Sequence, residues 1–173
     1  VIGLKQSFTI LDKDDQLSLI KQIIKAENLD QSQFSPKLIQ SKIDHWKNKA
    51  LNPNDIKSES LDNLVDEKSL SIYKIYQARL FEINCLDFGD LLLQCINLFK
   101  VPDIHKRYSN NFKYIHVDEY QDTNAAQYKW LKLLGSHHQN VCCVGDDDQS
   151  IYSWRGAEVD NMLRFEKEFE NAK

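Results

Sequence analysis

Two adjacent carboxylates, Asp118 and Glu119, stand at the end of a short apolar run in which Tyr114, Ile115 and Val117 flank His116. The run has the length and β-branched content of a buried strand, so the acids emerge at its carboxyl end. In open α/β sheets ligands bind outside the carboxyl ends of the strands. A hard cation such as Mg²⁺ takes oxygen ligands from one or two carboxylates plus substrate phosphates. That chemistry suits Asp118 to hold a metal and Glu119 to activate a water. The plainer alternative is a solvated strand end or a helix-capping turn.

A second stretch repeats the arrangement. Asn-Val-Cys-Cys-Val-Gly, from Asn140 to Gly145, is again a short apolar strand ending in acids, here Asp146, Asp147 and Asp148, followed by Gln149 to Gly156. Between the strands, Thr123 or Asn124 can cap a helix with Ala126, Trp130, Leu133 and Leu134 at apolar positions and Gly135 as its stop. Strand, helix and strand in this order favour a parallel pair with a right-handed crossover.

Val-Asp-Glu-Tyr-Gln-Asp-Thr-Asn (117–124) and Val-Gly-Asp-Asp-Asp-Gln-Ser-Ile-Tyr-Ser-Trp-Arg-Gly-Ala (144–157) resemble motifs II and III of UvrD/Rep-type superfamily 1 DNA helicases. Leu86-Asp87-Phe88-Gly89-Asp90-Leu91-Leu92 is similar to the Leu-Asp-Phe-Asp-Asp-Leu-Leu segment that precedes motif II in that family, with Gly89 where an acid is usual. Phe8 to Gln16 resembles the start of the family's helical insertion, domain 1B, so the resemblance covers nearly the whole chain. The nuclease-linked AddA/RecB branch is a rival within the family. The run from Gly145 to Arg155 looks nearer to UvrD/Rep.

The resemblance implies roles residue by residue. Asp118 would coordinate Mg²⁺ on ATP, Glu119 would be general base for the attacking water, and Gln149 would sense the γ-phosphate. Tyr152, Trp154 and Arg155 would contact single-stranded DNA, Trp154 by stacking and Arg155 by polar or phosphate contact. The implied parent is an ATP-dependent translocase moving 3′ to 5′ on single strands and unwinding duplex DNA in repair or replication. Each residue has a plainer rival. Trp154 can be a packed tryptophan, Tyr120, Gln121 and Asp122 can merely orient the next helix, and Asp146 to Asp148 can be a solvated turn, although Asp146 can also reach a metal through water.

Among the five glycines, Gly3, Gly89, Gly135, Gly145 and Gly156, none lies in a GxxxxGK[ST] pattern. Without that loop the β- and γ-phosphates have no cradle. The chain alone is therefore expected to be inactive, and in the resembled family the loop lies N-terminal to the helical insertion. Val1 in place of Met suggests an excised piece. Two alternatives remain: a non-catalytic helicase-like DNA-binding or interaction module, and a self-sufficient phosphohydrolase built on Asp118, Glu119 and Asp146.

Hydrophobic content of 42% and charged content of 28% over 173 residues are those of a globular protein. No run is long and apolar enough to span a bilayer and no leader signals secretion, so a cytoplasmic location without membrane contact is expected. Cys85, Cys95, Cys142 and Cys143 lack metal-ligand spacing and read as reduced core thiols. A net charge of −4 argues against coating nucleic acid by bulk charge, but not against a local groove with aromatic platforms.

The elements that must carry these residues follow from periodicity. The first hundred residues read as helices. One is capped by Asp12 with Leu17, Ile20 and Ile24 inward. Another opens at Ser35-Pro36 with Ile39, Ile43, Trp46 and Ala50 on one face. A third carries Ile72, Tyr76, Leu80 and Ile83, and a fourth, capped by Asp87, turns Phe88, Leu91, Cys95 and Leu98 inward. Trp46 and Trp130 read as core, and Lys37, Lys42, Lys47 and Lys49 as a solvated face with duplex contact as the alternative. Pro102 and Tyr108 to Asn111 break the pattern. Val159, Met162, Phe165 and Phe169 outline a last helix. The expected fold is α/β. A mostly helical, 1B-like subdomain over 1–105 precedes, over 106–173, part of a RecA-like parallel α/β domain of the P-loop NTPase type, without its phosphate loop.

Overall fold

The computed structural model describes residues 3–57, 59, 61, 63–153, 156, 157, 161, 165 and 169. Two compact units are present, one made of Val1–Lys47 and Leu51–Leu93, the other of Asn48–Ala50 and Gln94–Lys173.

In the first unit a strand, β1 (Thr9–Leu11), leads into helix α1 (Lys13–Ala26). Asp12 starts that helix because its carboxylate accepts the orphan N–H groups of Asp14 and Asp15. Helix α2 (Pro36–Asn48) begins at the proline, which lacks the N–H that a first turn cannot satisfy. Helix α3 (Leu64–Glu82) starts at Asn63, whose side chain accepts the Asp66 N–H. These helices bury Ile20, Ile24, Ile39, Ile43, Tyr73, Tyr76 and Leu80 in one core. Trp46 is half-buried and stacks on Tyr73 with ring centroids 5.8 Å apart.

This half is not wholly helical. Strand β2 (Cys85–Asp87) pairs parallel with β1 in the register Thr9↔Cys85, Ile10↔Leu86, Leu11↔Asp87. Three-residue strands leave too short an alternation to read from sequence, and Leu86-Asp87-Phe88 looks like the opening of a helix. Helix α4 (Phe88–Leu98) does follow, started by Asp87 as expected: Asp87 Oδ1 accepts the Asp90 N–H at 2.8 Å. Its buried face differs from the expected one. Asp90, Leu93, Gln94 and Ile96 are buried, whereas Phe88 is 60% exposed and Cys95 is exposed. Ile83 also leaves its stripe, because α3 ends at Glu82 and Ile83 is 53% exposed.

Helix α5 (Pro102–Asn111) opens the second unit's α/β part and crosses the segment expected to break the pattern. Pro102 takes the first helical position, where proline is favoured, so it starts a helix here rather than ending one. Strands β3 (Ile115–Val117) and β4 (Val141–Cys143) are parallel, in the register Ile115↔Val141, His116↔Cys142, Val117↔Cys143. Helix α6 (Ala125–Gly135) joins them. It begins in a reciprocal capping box, with Asn124 Oδ1 accepting from Gln127 N and Gln127 Oε1 accepting from Asn124 N, both at 2.9 Å.

The strands are less buried than their composition suggests. Ile115 and Val141 pack toward Gly135 of α6, while His116 and Cys142 on the opposite face are exposed. Among the four cysteines only Cys85 is buried, which corrects the expectation of core thiols. Partial burial, with Cys142 alongside, raises the Cys143 thiol to about 11, so it stays protonated at neutral pH. Trp130 is half-buried rather than core, and Leu131 takes the inward position on α6. The proposed last helix falls largely outside the described residues. Of its members Phe169 is buried and its ring lies 4.6 Å from that of Phe165.

Candidate functional site

Parallel pairing in register sends β3 and β4 out at the same edge, so Asp118-Glu119 and Gly145-Asp146 leave the sheet as neighbours. The pairing runs on past the strands. Val144 N donates to Val117 O at 2.8 Å and Tyr120 N donates to Val144 O at 3.0 Å. Asp118 and Glu119 are both exposed, and Asp118 Oδ1 accepts the Glu119 N–H at 2.9 Å. Glu119 adopts a left-handed backbone, φ 51°, uncommon for a residue with a side chain. A tight turn, Tyr120–Asp122, follows and buries Tyr120 and Gln121.

Opposite, Asp146 Oδ1 accepts the Asp148 N–H at 3.1 Å and its Oδ2 accepts from Gln149 Nε2 at 2.7 Å, shaping the turn Asp147–Gln149. The two sides are tied by Gln121. Its Nε2 donates to Glu119 Oε2 at 2.7 Å and its Oε1 accepts the Asp146 N–H at 3.0 Å. Gly145 makes the approach possible, since a Cβ there would lie 2.6 Å from Gln121 Oε1 and 3.2 Å from Tyr120 N.

The acids offer hard oxygen donors at one strand edge, and exposure leaves them accessible. Asp146, Asp147 and Asp148 also bring a carboxylate oxygen each to within 4.8 Å of one another. Such a donor set fits Mg²⁺, which keeps several waters and uses few protein carboxylates.

The expected site residues thus divide. Asp118 and Glu119 lie at the end of β3, and Gln149 lies beyond the end of β4, linked to Glu119 through Asp146 and Gln121. Tyr152 is half-buried in a turn closed by Ala157 N donating to Tyr152 O at 3.2 Å and Gly156 N donating to Ser153 O at 2.9 Å. Trp154 and Arg155 lie outside the described residues. Gln121, expected only to orient the next helix, is the residue that joins the two sides, and nothing in its spacing marked it.

Lys47 does not lie on the expected solvated face. It is fully buried in the first unit, 2.6 Å from Asp87 Oδ2 and 2.8 Å from Asp90 Oδ1, with the Tyr76 hydroxyl donating to Asp87 at 2.9 Å. Ile39, Ile43 and Lys47 recur every four residues, which turns Lys47 to the side of two buried isoleucines, but the carboxylates that let it be buried lie elsewhere in the chain. Of the other lysines, Lys42 pairs with Asp66, and Lys37 and Lys49 are exposed.

Residues 1–170 match the family described as UvrD/REP helicase N-terminal domain. The DNA helicase II of Rickettsia typhi is 49% identical over 173 residues, which is 99% of this chain and 26% of that protein. A probable DNA helicase II homolog of Rickettsia felis is 48% identical over 172 residues, with the same coverage. The ATP-dependent DNA helicase PcrA of Staphylococcus epidermidis is 46% identical over 173 residues, 24% of its own length. The chain spans about a quarter of the length of these curated relatives.

Proposed function

The chain belongs to the UvrD/REP helicase N-terminal domain family, and on that premise we propose that it is a segment of an ATP-dependent DNA helicase that translocates 3′ to 5′ on single strands. It would supply the 1B-like helices and the part of motor domain 1A that carries motifs II and III. The observation that carries this reading is that Glu119, next to Asp118 at the end of β3, is linked through Gln121 to Asp146 and Gln149 beyond the end of the parallel strand β4.

In this reading Asp118 holds Mg²⁺ and Glu119 takes the proton of the attacking water. Bound Mg²⁺ supplies neutralisation of the charge on the nucleotide's phosphate oxygens. Phosphoryl transfer asks the protein mainly for positioning and electrostatic stabilisation, and two parallel strand ends held by backbone hydrogen bonds provide the fixed frame. Gln149, whose amide donates to Asp146, would sense the γ-phosphate. Tyr152, Trp154 and Arg155 serve the single strand, where an aromatic face accepts any base. The phosphate loop comes from the rest of the polypeptide.

The test is Mg²⁺-dependent ATP hydrolysis by the full-length protein containing this chain, with and without single-stranded DNA, beside its Glu119→Gln variant. DNA-stimulated turnover that the variant abolishes while still binding nucleotide supports the reading. Turnover at the wild-type rate in Glu119→Gln sinks it.

A further inference from the structure

Glu119, Gln121, Asp146 and Gln149 form one hydrogen-bonded series across the two strand ends, and Gln121 stands in its middle, only 1% exposed. The position demands two opposite capacities at once. A donor must face the Glu119 carboxylate and an acceptor must face the Asp146 N–H, and a primary amide offers both on one planar group. A carboxylate there keeps the acceptor and loses the donor, whereas an apolar side chain loses both.

Both ends of the amide are held by hydrogen bonds, and it lies close against Gly145. Its oxygen lies 2.6 Å from where a Cβ on Gly145 would stand, and Tyr120 and Gln121 backbone nitrogens close the same space at 3.2 and 3.3 Å. The residue it grips is itself unusual, because Glu119 holds a left-handed backbone at φ 51°. Such a conformation in a non-glycine residue persists where surrounding contacts over-determine it. The Gln121 amide is one of those contacts and acts on the carboxylate itself.

We propose that Gln121 is a positioning residue that clamps the Glu119 carboxylate to the Gly145-Asp146 backbone, so that Glu119 and Gln149 keep a fixed mutual geometry through Asp146. The inference rests on the reading of Glu119 as general base. Gln121 acts only through Glu119 and Asp146 in this scheme. Its loss misplaces the base without removing nucleotide contacts, so the chemical step slows while ATP affinity stays.

Steady-state ATP hydrolysis by the full-length protein, saturated with single-stranded DNA, tests this with Gln121→Glu, Gln121→Met and Glu119→Gln, each checked by thermal unfolding. Gln121→Glu retains the link to Asp146 and removes the donor to Glu119. It is expected to lower kcat by at least about tenfold with KM for ATP within about twofold of wild type. Gln121→Met is expected to lower kcat at least as far, and if it fails to fold, Gln121→Glu decides alone. A folded Gln121→Glu protein with kcat within about threefold of wild type, or with its defect confined to KM, overturns the inference. When Glu119→Gln is inactive in that same experiment, only the role of Gln121 falls. Turnover by Glu119→Gln removes the general-base reading and this inference together.

Discussion

At Gly145 the two strand ends meet more closely than a side chain allows. Alanine there would press its Cβ against Gln121 Oε1 and, behind it, the Tyr120 and Gln121 backbone nitrogens. The glutamine cannot simply swing aside, since both halves of its amide are hydrogen-bonded. Gly145→Ala is therefore expected to destabilise the second unit by about 1 to 3 kcal/mol, as overpacking does. Denaturant unfolding measures this, and an unchanged midpoint would show that the strand ends separate freely. For Trp154, the base-stacking role proposed above predicts a different effect. Trp154→Ala in the full-length protein should weaken single-strand binding by about 1 to 3 kcal/mol with folding unaffected. Fluorescence anisotropy with a labelled oligonucleotide checks it, and undiminished affinity takes Trp154 out of the DNA site.

Helix α2 and the β2–α4 corner are held by a buried cluster in which one ammonium serves two carboxylates. Lys47 reaches Asp87 and Asp90, its Nζ also lies 5.2 Å from the centroid of the Tyr76 ring, and Gln77 donates to Asp90 at 3.0 Å. Gly89 belongs to the same arrangement, because a Cβ there would stand 2.9 Å from Lys47 Cδ. That gives a steric reason for glycine at this position. Burial pushes the Asp87 carboxyl up, but the Lys47 charge and hydrogen bond outweigh it and hold the group below its ordinary value. For Asp90 burial, reinforced by the Asp87 charge, prevails and the value is raised. Asp87 thus contributes stability above about pH 3.9, the unfolded value, that is lost as pH falls through its lower folded value. Asp90 acts in the opposite sense, its contribution fading as pH rises past that value.

Replacing Lys47 by Met leaves both carboxylates buried without a cation, which costs about 3 to 5 kcal/mol. Both folded values then lie above the unfolded one, so the native state of the variant binds the extra protons. Its deficit should be larger at pH 7 than at pH 4.5. Denaturant titrations of wild type and Lys47→Met at the two pH values measure this, and a deficit that grows on acidification would contradict the cluster as described.

On the scale of the whole chain, an acidic balance of −4 gives no bulk-charge attraction for nucleic acid, so the proposed DNA contact would have to be local. No helix among the described residues is long and apolar enough to cross a membrane. The sequence contains no GxxxxGK[ST] loop, and the carboxylates at the β3 and β4 ends provide nothing to cradle phosphates. The purified chain is therefore expected to hydrolyse no ATP, with or without single-stranded DNA, while the full-length protein does. A coupled phosphate-release assay compares them, and turnover by the chain itself would mean that the nucleotide site is built from other residues.

What could be read from the sequence was whatever local rules govern. Asp12, Asp87 and Asn124 cap helices because a short polar side chain next to an apolar periodic run has one good use, satisfying orphan N–H groups. The family and the strand-helix-strand unit were likewise legible, since long ordered motifs and parallel topology leave few arrangements. The tertiary structure decided the rest. The β1–β2 pair forms between strands far apart in sequence, each too short to show a period. The inward face of α4 includes Asp90 and Gln94, polar residues that periodicity alone turns outward, because Lys47 and Gln77 supply Asp90 with buried partners. Lys47 could be buried only because Asp87 and Asp90 wait for it, a fact about partners that spacing along one helix does not carry. Gln121 has the same character: its type permits many roles, and only the approach of two strand ends, closer than a side chain on Gly145 would allow, makes it the joint between them.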